Sequence, residues 1–182
     1  MIDWIRKILA RLAMLLFTAA LGAHPAPGAA QALEWKTYSY PAQGFSASFP
    51  SKPILQKRDI PTATGCFLRS YLAKSGPASF FVGICEHGAA AAGKNAGTML
   101  QGAKNEILSN SNSHLVSEKK ITLGNCHGVE FEADNYEAHF SARIYMAGTT
   151  LYQTLTVFPL GRPNANAKRF LDSFQLIARV EE

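Results

Sequence analysis

Residues 65–88 read GCFLRSYLAKSGPASFFVGICEHG, two apolar and aromatic runs on either side of Ser75-Gly76-Pro77. Runs of this composition, separated by a Gly/Pro signal, predict a β-hairpin. With Ser75-Gly76 as a two-residue turn, Leu72 falls opposite Ser79, Ser70 opposite Phe81, and Cys66 directly opposite Cys85. One face then shows Phe67, Tyr71, Phe80, Val82 and Ile84, and the other Leu68, Leu72 and Phe81. Both faces are largely apolar, so this hairpin is expected inside a sheet that is covered on both sides.

Upstream, WKTYSY (35–40) reads as a strand, PAQG (41–44) as a turn, and FSASF (45–49) as a half-buried strand with Phe45, Ala47 and Phe49 on one face. Pro50 and Pro53 stop it. ILQKRDI (54–60) is polar or charged from Gln56 to Asp59 and predicts an edge strand. Downstream, Asn95 can cap a helix from about Ala96 to Ser109, with Ala96, Met99, Leu100, Ala103 and Ile107 at helical spacing on one face. Such a stripe is expected to be core. HLVSEKKITL, a turn at Gly124-Asn125 and GVEFEAD follow, the last with Val129, Phe131 and Ala133 inward. HFSARIYMA and TLYQTLTVF then form a hairpin around Gly148-Thr149 that puts Phe140, Ala142, Ile144 and Met146 on a face with Leu151, Leu155 and Val157. Pro163 is placed as the first position of a helix over NANAKRFLDS, and FQLIARV as a closing strand. Strands, a helix, four strands, a helix and a strand predict an antiparallel α+β domain.

The first 32 residues read as an address. Arg6, Lys7 and Arg11 form a basic region, Leu12–Ala23 is an uncharged apolar run, and Ala30-Gln31-Ala32 fits signal-peptidase cleavage. The run is too short and alanine-rich for a comfortable membrane span, and no cysteine lies near the cleavage point. Residues 1–32 are therefore expected to be a signal peptide, against the rival of an uncleaved anchor, and 33–182 a single domain. No transmembrane segment is expected after cleavage, and the destination is periplasmic or secreted. Residues 1–32 carry a net +2 of the chain's +5, leaving about +3 on the rest. The basic pairs Lys57-Arg58, Lys119-Lys120 and Lys168-Arg169 are scattered rather than gathered in a stripe with aromatics. They read as solvated surface and argue against a nucleic-acid partner.

YPAQGFSASFPSKP (40–53), the glycine entry to GVEFEAD (128–134), ARIYMAGTTLYQTLTVF (142–158) and AKRFLDSFQL (167–176) together resemble PsbP-like domains. That superfamily includes many uncharacterised secreted bacterial proteins, and the resemblance covers most of 35–178. It implies a central antiparallel sheet flanked by two or more helices, an α/β/α sandwich-like arrangement. It also implies an accessory or binding module rather than an enzyme. The plant members that gave the superfamily its name assist photosystem assembly, but no residue here matches a functional motif of theirs, and no site is carried over.

Three constellations are candidates for chemistry. In an oxidising compartment Cys66 and Cys85, opposed across the hairpin, predict a disulfide of roughly 3 kcal/mol in the chain-entropy model. A bond to Cys126, or free thiols, are the alternatives. Cys85-Glu86-His87 and Cys126-His127 offer ligands that zinc or copper prefer, yet their spacing matches no metal signature. No metal and no cofactor is expected. Finally, with a tight turn at Asn135-Tyr136, Glu130, Glu132, His139, Ser141, Arg143, Tyr145, Tyr152 and Thr154 line one sheet surface. Such a set suits a polar ligand or acid–base work. The plainer expectation is a solvated face with cross-strand ion pairs. Nucleophile-elbow, zinc-protease, P-loop and dinucleotide motifs do not occur. The expected function is an exported, non-enzymatic accessory or binding module with a protein or envelope partner. The alternative is a small-molecule or metal-binding periplasmic protein with possible hydrolytic activity.

Overall fold

The structure, a computed structural model, describes residues 34–60, 66–87, 93, 95–162 and 164–180. In chain order these form β1 (Lys36–Tyr40), a 3-10 turn (Pro41–Gln43), β2 (Phe45–Phe49), β3 (Ile54–Ile60), β4 (Cys66–Ser75), β5 (Ala78–His87) and α1 (Ala96–Ser111). They continue with β6 (His114–Leu123), β7 (Cys126–Asp134), β8 (Ala138–Ala147), β9 (Thr150–Pro159), α2 (Ala165–Asp172) and β10 (Gln175–Leu176). The signal-peptide region and the Ala-rich stretch after Gly88 lie outside the described residues, apart from Gly93.

Seven strands form one antiparallel sheet in the order β3-β4-β5-β9-β8-β7-β6, and three form a second in the order β1-β2-β10. The flanking-helix expectation is therefore wrong: among the described residues ten strands in two sheets stand against two helices, and the fold is mostly β. One face of the large sheet is covered by α1. The other is covered by the small sheet together with the short α2. The physical reason is that period-2 alternation says which side of a strand is buried but not which sheet the strand joins. Phe45, Ala47 and Phe49 of β2 are fully buried as expected, but they face the large sheet as a second layer instead of extending it.

Over the small sheet, Phe45, Phe49, Phe170 and Phe174 meet Tyr71, Phe80, Val82, Ile84, Tyr145 and Tyr152 in one core. Under α1, Leu100 and Ala103 meet Leu68, Val129, Phe131, Ala133, Phe140, Ala142, Ile144 and Leu151 in a second. The hairpin of β4 and β5 is thus sandwiched, as its two apolar faces require. Helix α1 starts where Asn95 Oδ1 accepts a bond from the Gly97 amide at 2.8 Å, and ends where Asn112 turns left-handed at φ 50°. Helix α2 begins at Ala165 with Asn164 as its cap, so the expected start at Pro163, a residue outside those described, is displaced. The closing strand shrinks to Gln175–Leu176.

Two registers differ from the simplest reading by two residues. The first hairpin turns at Gly76-Pro77, so Cys66 pairs with His87 and Leu68 with Cys85. Asn135 Oδ1 accepts bonds from the amides of Glu137 and Ala138 and closes a three-residue turn before β8. A shift of two keeps every side chain on its face. The Gly124-Asn125 and Gly148-Thr149 turns fall as expected. Both β3 and β6 are edges, and β6 carries a bulge at Val116.

Candidate functional site

The small sheet and α2 leave the outer strands of the large sheet open. Over β6, β7 and β8 lies a groove of about 670 Å³, walled by α2 and by Phe158, Leu160, Gly161, Arg162 and Asn164. Three cross-strand rows form its floor. Glu130 stands opposite Arg143, Glu132 opposite Ser141, and Asp134 opposite His139.

The first row belongs to a chain of alternating charge. Lys119 Nζ is 2.6 Å from Glu130 Oε1. Arg143 Nε donates to Glu130 Oε2 at 2.5 Å, and Arg143 Nη2 donates to Asp172 Oδ1 at 2.8 Å. Asp172 in turn pairs with Lys168 one helical turn away. The chain ties β6, β7, β8 and α2 together. Burial pushes the Glu130 carboxyl up, but the Lys119 ammonium and the Arg143 guanidinium outweigh it and hold its pKa below the ordinary value. Lys168, followed by Arg143, holds Asp172 down as well. Burial pulls the Arg143 pKa down, and its two carboxylate partners more than reverse this. The third row is also closed: His139 Nδ1 lies 2.6 Å from Asp134 Oδ1, and the ring packs on Phe158 with centroids 5.0 Å apart. In the middle row, by contrast, neither the Glu132 carboxylate nor the Ser141 hydroxyl is bonded by a described residue.

Of the expected polar face, Glu130, Glu132, His139, Ser141 and Arg143 do converge here. Tyr145, Tyr152 and Thr154 share the same sheet face but are buried beneath the small sheet. Tyr145 stacks on Phe174 with centroids 5.8 Å apart, and Tyr152 Oη donates to the Gln43 carbonyl at 2.9 Å. Sequence reasoning missed Lys119, Asp134, Asp172, Phe158, Leu160 and Arg162. The i,i+4 spacing of Lys168 and Asp172 was the one signal available. Their docking on β8 was not readable, because it depends on where α2 lands.

Cys66 and Cys85 form a disulfide with Cα atoms 5.6 Å apart. The bond is diagonal rather than directly cross-strand, joining Cys66 to the partner of Leu68. It takes Cys85 from any ligand set. Cys126 is a partly buried free thiol at the start of β7. Among the described residues no three His, Cys, Asp or Glu side chains gather in a metal-holding arrangement, and no helix is long and apolar enough to cross a membrane.

No protein-family model matches the chain, and no curated protein matches it. Several solved structures match it, among them these two. A crystal structure from Bacteroides thetaiotaomicron VPI-5482 shares 17% identity, covering 80% of this chain and 49% of its own, at a TM-score of 0.37, too low to indicate a common fold. The solution structure of cyanobacterial PsbP (CyanoP) from Synechocystis sp. PCC 6803 shares 15% identity, covering 84% of this chain and 98% of its own, at a TM-score of 0.55. On this likeness, which extends over 84% of its length, the chain has a PsbP-like fold.

Proposed function

We propose that this protein is an exported accessory module that binds a protein partner through the groove over β6–β8. The observation that carries the reading is the state of the groove's charges. Glu130, Arg143, Asp134 and His139 are committed to each other, so they build a shaped polar surface rather than a poised acid, base or nucleophile. The PsbP-like fold and a disulfide suited to an oxidising compartment support export to the periplasm or beyond, with residues 1–32 as the signal peptide.

The test is cross-linking in an envelope extract, comparing wild type with a Glu132→Arg, Arg162→Glu exchange. This pair reverses the two groove charges that no described residue pairs, and leaves net charge unchanged. A partner captured by wild type and lost by the correctly folded exchange variant is the expected result. Equal capture by both would move the binding surface elsewhere.

A further inference from the structure

The middle row of the groove is its open position. Ser141 is only 8% exposed, lines the groove, and its hydroxyl is bonded by no described residue. A hydroxyl that lines the groove with no described protein partner can donate to or accept from a polar group that enters there. Directly opposite on β7 is Glu132, the one carboxylate of the groove that no described cation neutralises. The site therefore offers a free anion and a free hydroxyl side by side. The walls beside them, Phe158, Leu160 and Leu171, are apolar.

Resting on the reading of the groove as a docking surface, we infer that its middle row binds an alkylammonium group, the side chain of a lysine on the partner polypeptide. An ammonium is compact and carries three donors, enough for both the carboxylate and the hydroxyl. Its methylene stem covers apolar wall as the charge reaches in. Arg162 on the rim repels a second positive charge, which favours a single lysine over a free diamine.

The test is an NMR titration of the folded chain with a blocked Gly-Lys-Gly peptide. The comparison ligands are the same peptide carrying Nε-acetyl-lysine, n-butylammonium, and 1,5-diaminopentane. The lysine peptide is expected to give saturable shifts at Glu132, Ser141 and Leu160, with a dissociation constant in the millimolar range. Glu132→Gln, a change on an exposed strand position, is expected to weaken it about tenfold or more, and Arg162→Ala to leave it equal or tighter. Equal binding of the acetylated peptide, no saturable shift, or indifference to Glu132→Gln would each overturn the assignment. Tighter binding of the diamine than of the peptide would overturn the polypeptide source. Failure of the titration alongside a partner still lost by the charge exchange would remove the ammonium chemistry and leave the docking surface standing. Capture unaffected by the exchange would remove the docking surface itself.

Discussion

Replacing Arg143 with glutamine is the most direct test of how the groove is held together. A solvated sheet face would lose almost nothing. In the structure, however, the Arg143 and Glu130 side chains are 18% and 22% exposed, so their charge-assisted bond is shielded from water and worth about 1.5–3 kcal/mol. The second bond, to an Asp172 side chain 43% exposed, is discounted to about 0.5 kcal/mol. Lys119 still neutralises Glu130 in the variant, so the full penalty of an orphaned charge is not incurred. The expected cost is about 2–3 kcal/mol near neutral pH, read from urea unfolding of Arg143→Gln, Glu130→Gln and the double variant. The pH dependence has a definite sign. Glu130 has a lowered folded pKa, so its contribution is fully present above the unfolded value of 4.5 and is lost as pH falls through the lower folded value. The gap between wild type and Arg143→Gln must therefore close in acid. A cost below about 0.5 kcal/mol, or a gap that does not change with pH, would refute the reasoning.

Reduction of the Cys66–Cys85 bond, which spans 19 residues of chain, is expected to cost about 3 kcal/mol; non-reducing peptide mapping should recover the linked fragments, and three free thiols would contradict it. Gly44→Ala should destabilise by at least about 1 kcal/mol in thermal unfolding. Gly44 sits at φ 74°, and a Cβ there would lie 2.9 Å from both Arg179 Cγ and Tyr152 Oη. Glu118→Gln strands the Lys104 ammonium, whose side chain is 8% exposed and bonded to Glu118 at 2.6 Å, and should cost roughly 3 kcal/mol in the same assay. In an ultraviolet pH titration Tyr40 should ionise only at about 12, held up by burial and then by the neighbouring Tyr71; normal titration of all six tyrosines would mean a looser core.

Most strands, the first helix cap and the half-cysteine pair were legible because each is written locally: alternation at Phe45-Ala47-Phe49 and Val129-Phe131-Ala133, Asn95 before the first helix, two apolar runs around a Gly/Pro signal. Register was less legible. Turning at Ser75-Gly76 or at Gly76-Pro77 buries the same Phe80, Val82 and Ile84, so alternation cannot choose between them. The division into two sheets was not legible at all, since β2 looks alike whether it extends a sheet or stacks on one. That same ambiguity explains the polar face. Glu130, Glu132, His139, Ser141 and Arg143 could be grouped by parity alone, but Tyr145 and Tyr152 have the same parity and end under Phe174. Only the placement of the small sheet separates groove from core.

The small sheet also has a kinetic consequence. Its central strand β2 pairs with β1 from the start of the described chain and with β10 near its end, Ser46 opposite Gln175 and Phe45 opposite Leu176. The amides of Ile177 and Val180 donate to the carbonyls of Gly44 and Pro41. Phe170 and Phe174 of the core over this face are thus synthesised 90 to 129 positions after Phe45, Phe49 and Phe80, the rings they pack on. Such late, long-range closure slows folding and leaves Phe45, Phe49 and Phe80 without their cover until the last helix emerges. A chain built this way stays open to holding factors during synthesis and can be threaded through a narrow pore before it locks, as the proposed export demands. Truncation just before Ala165 is expected to yield a species with an exposed aromatic face that binds hydrophobic dye and aggregates.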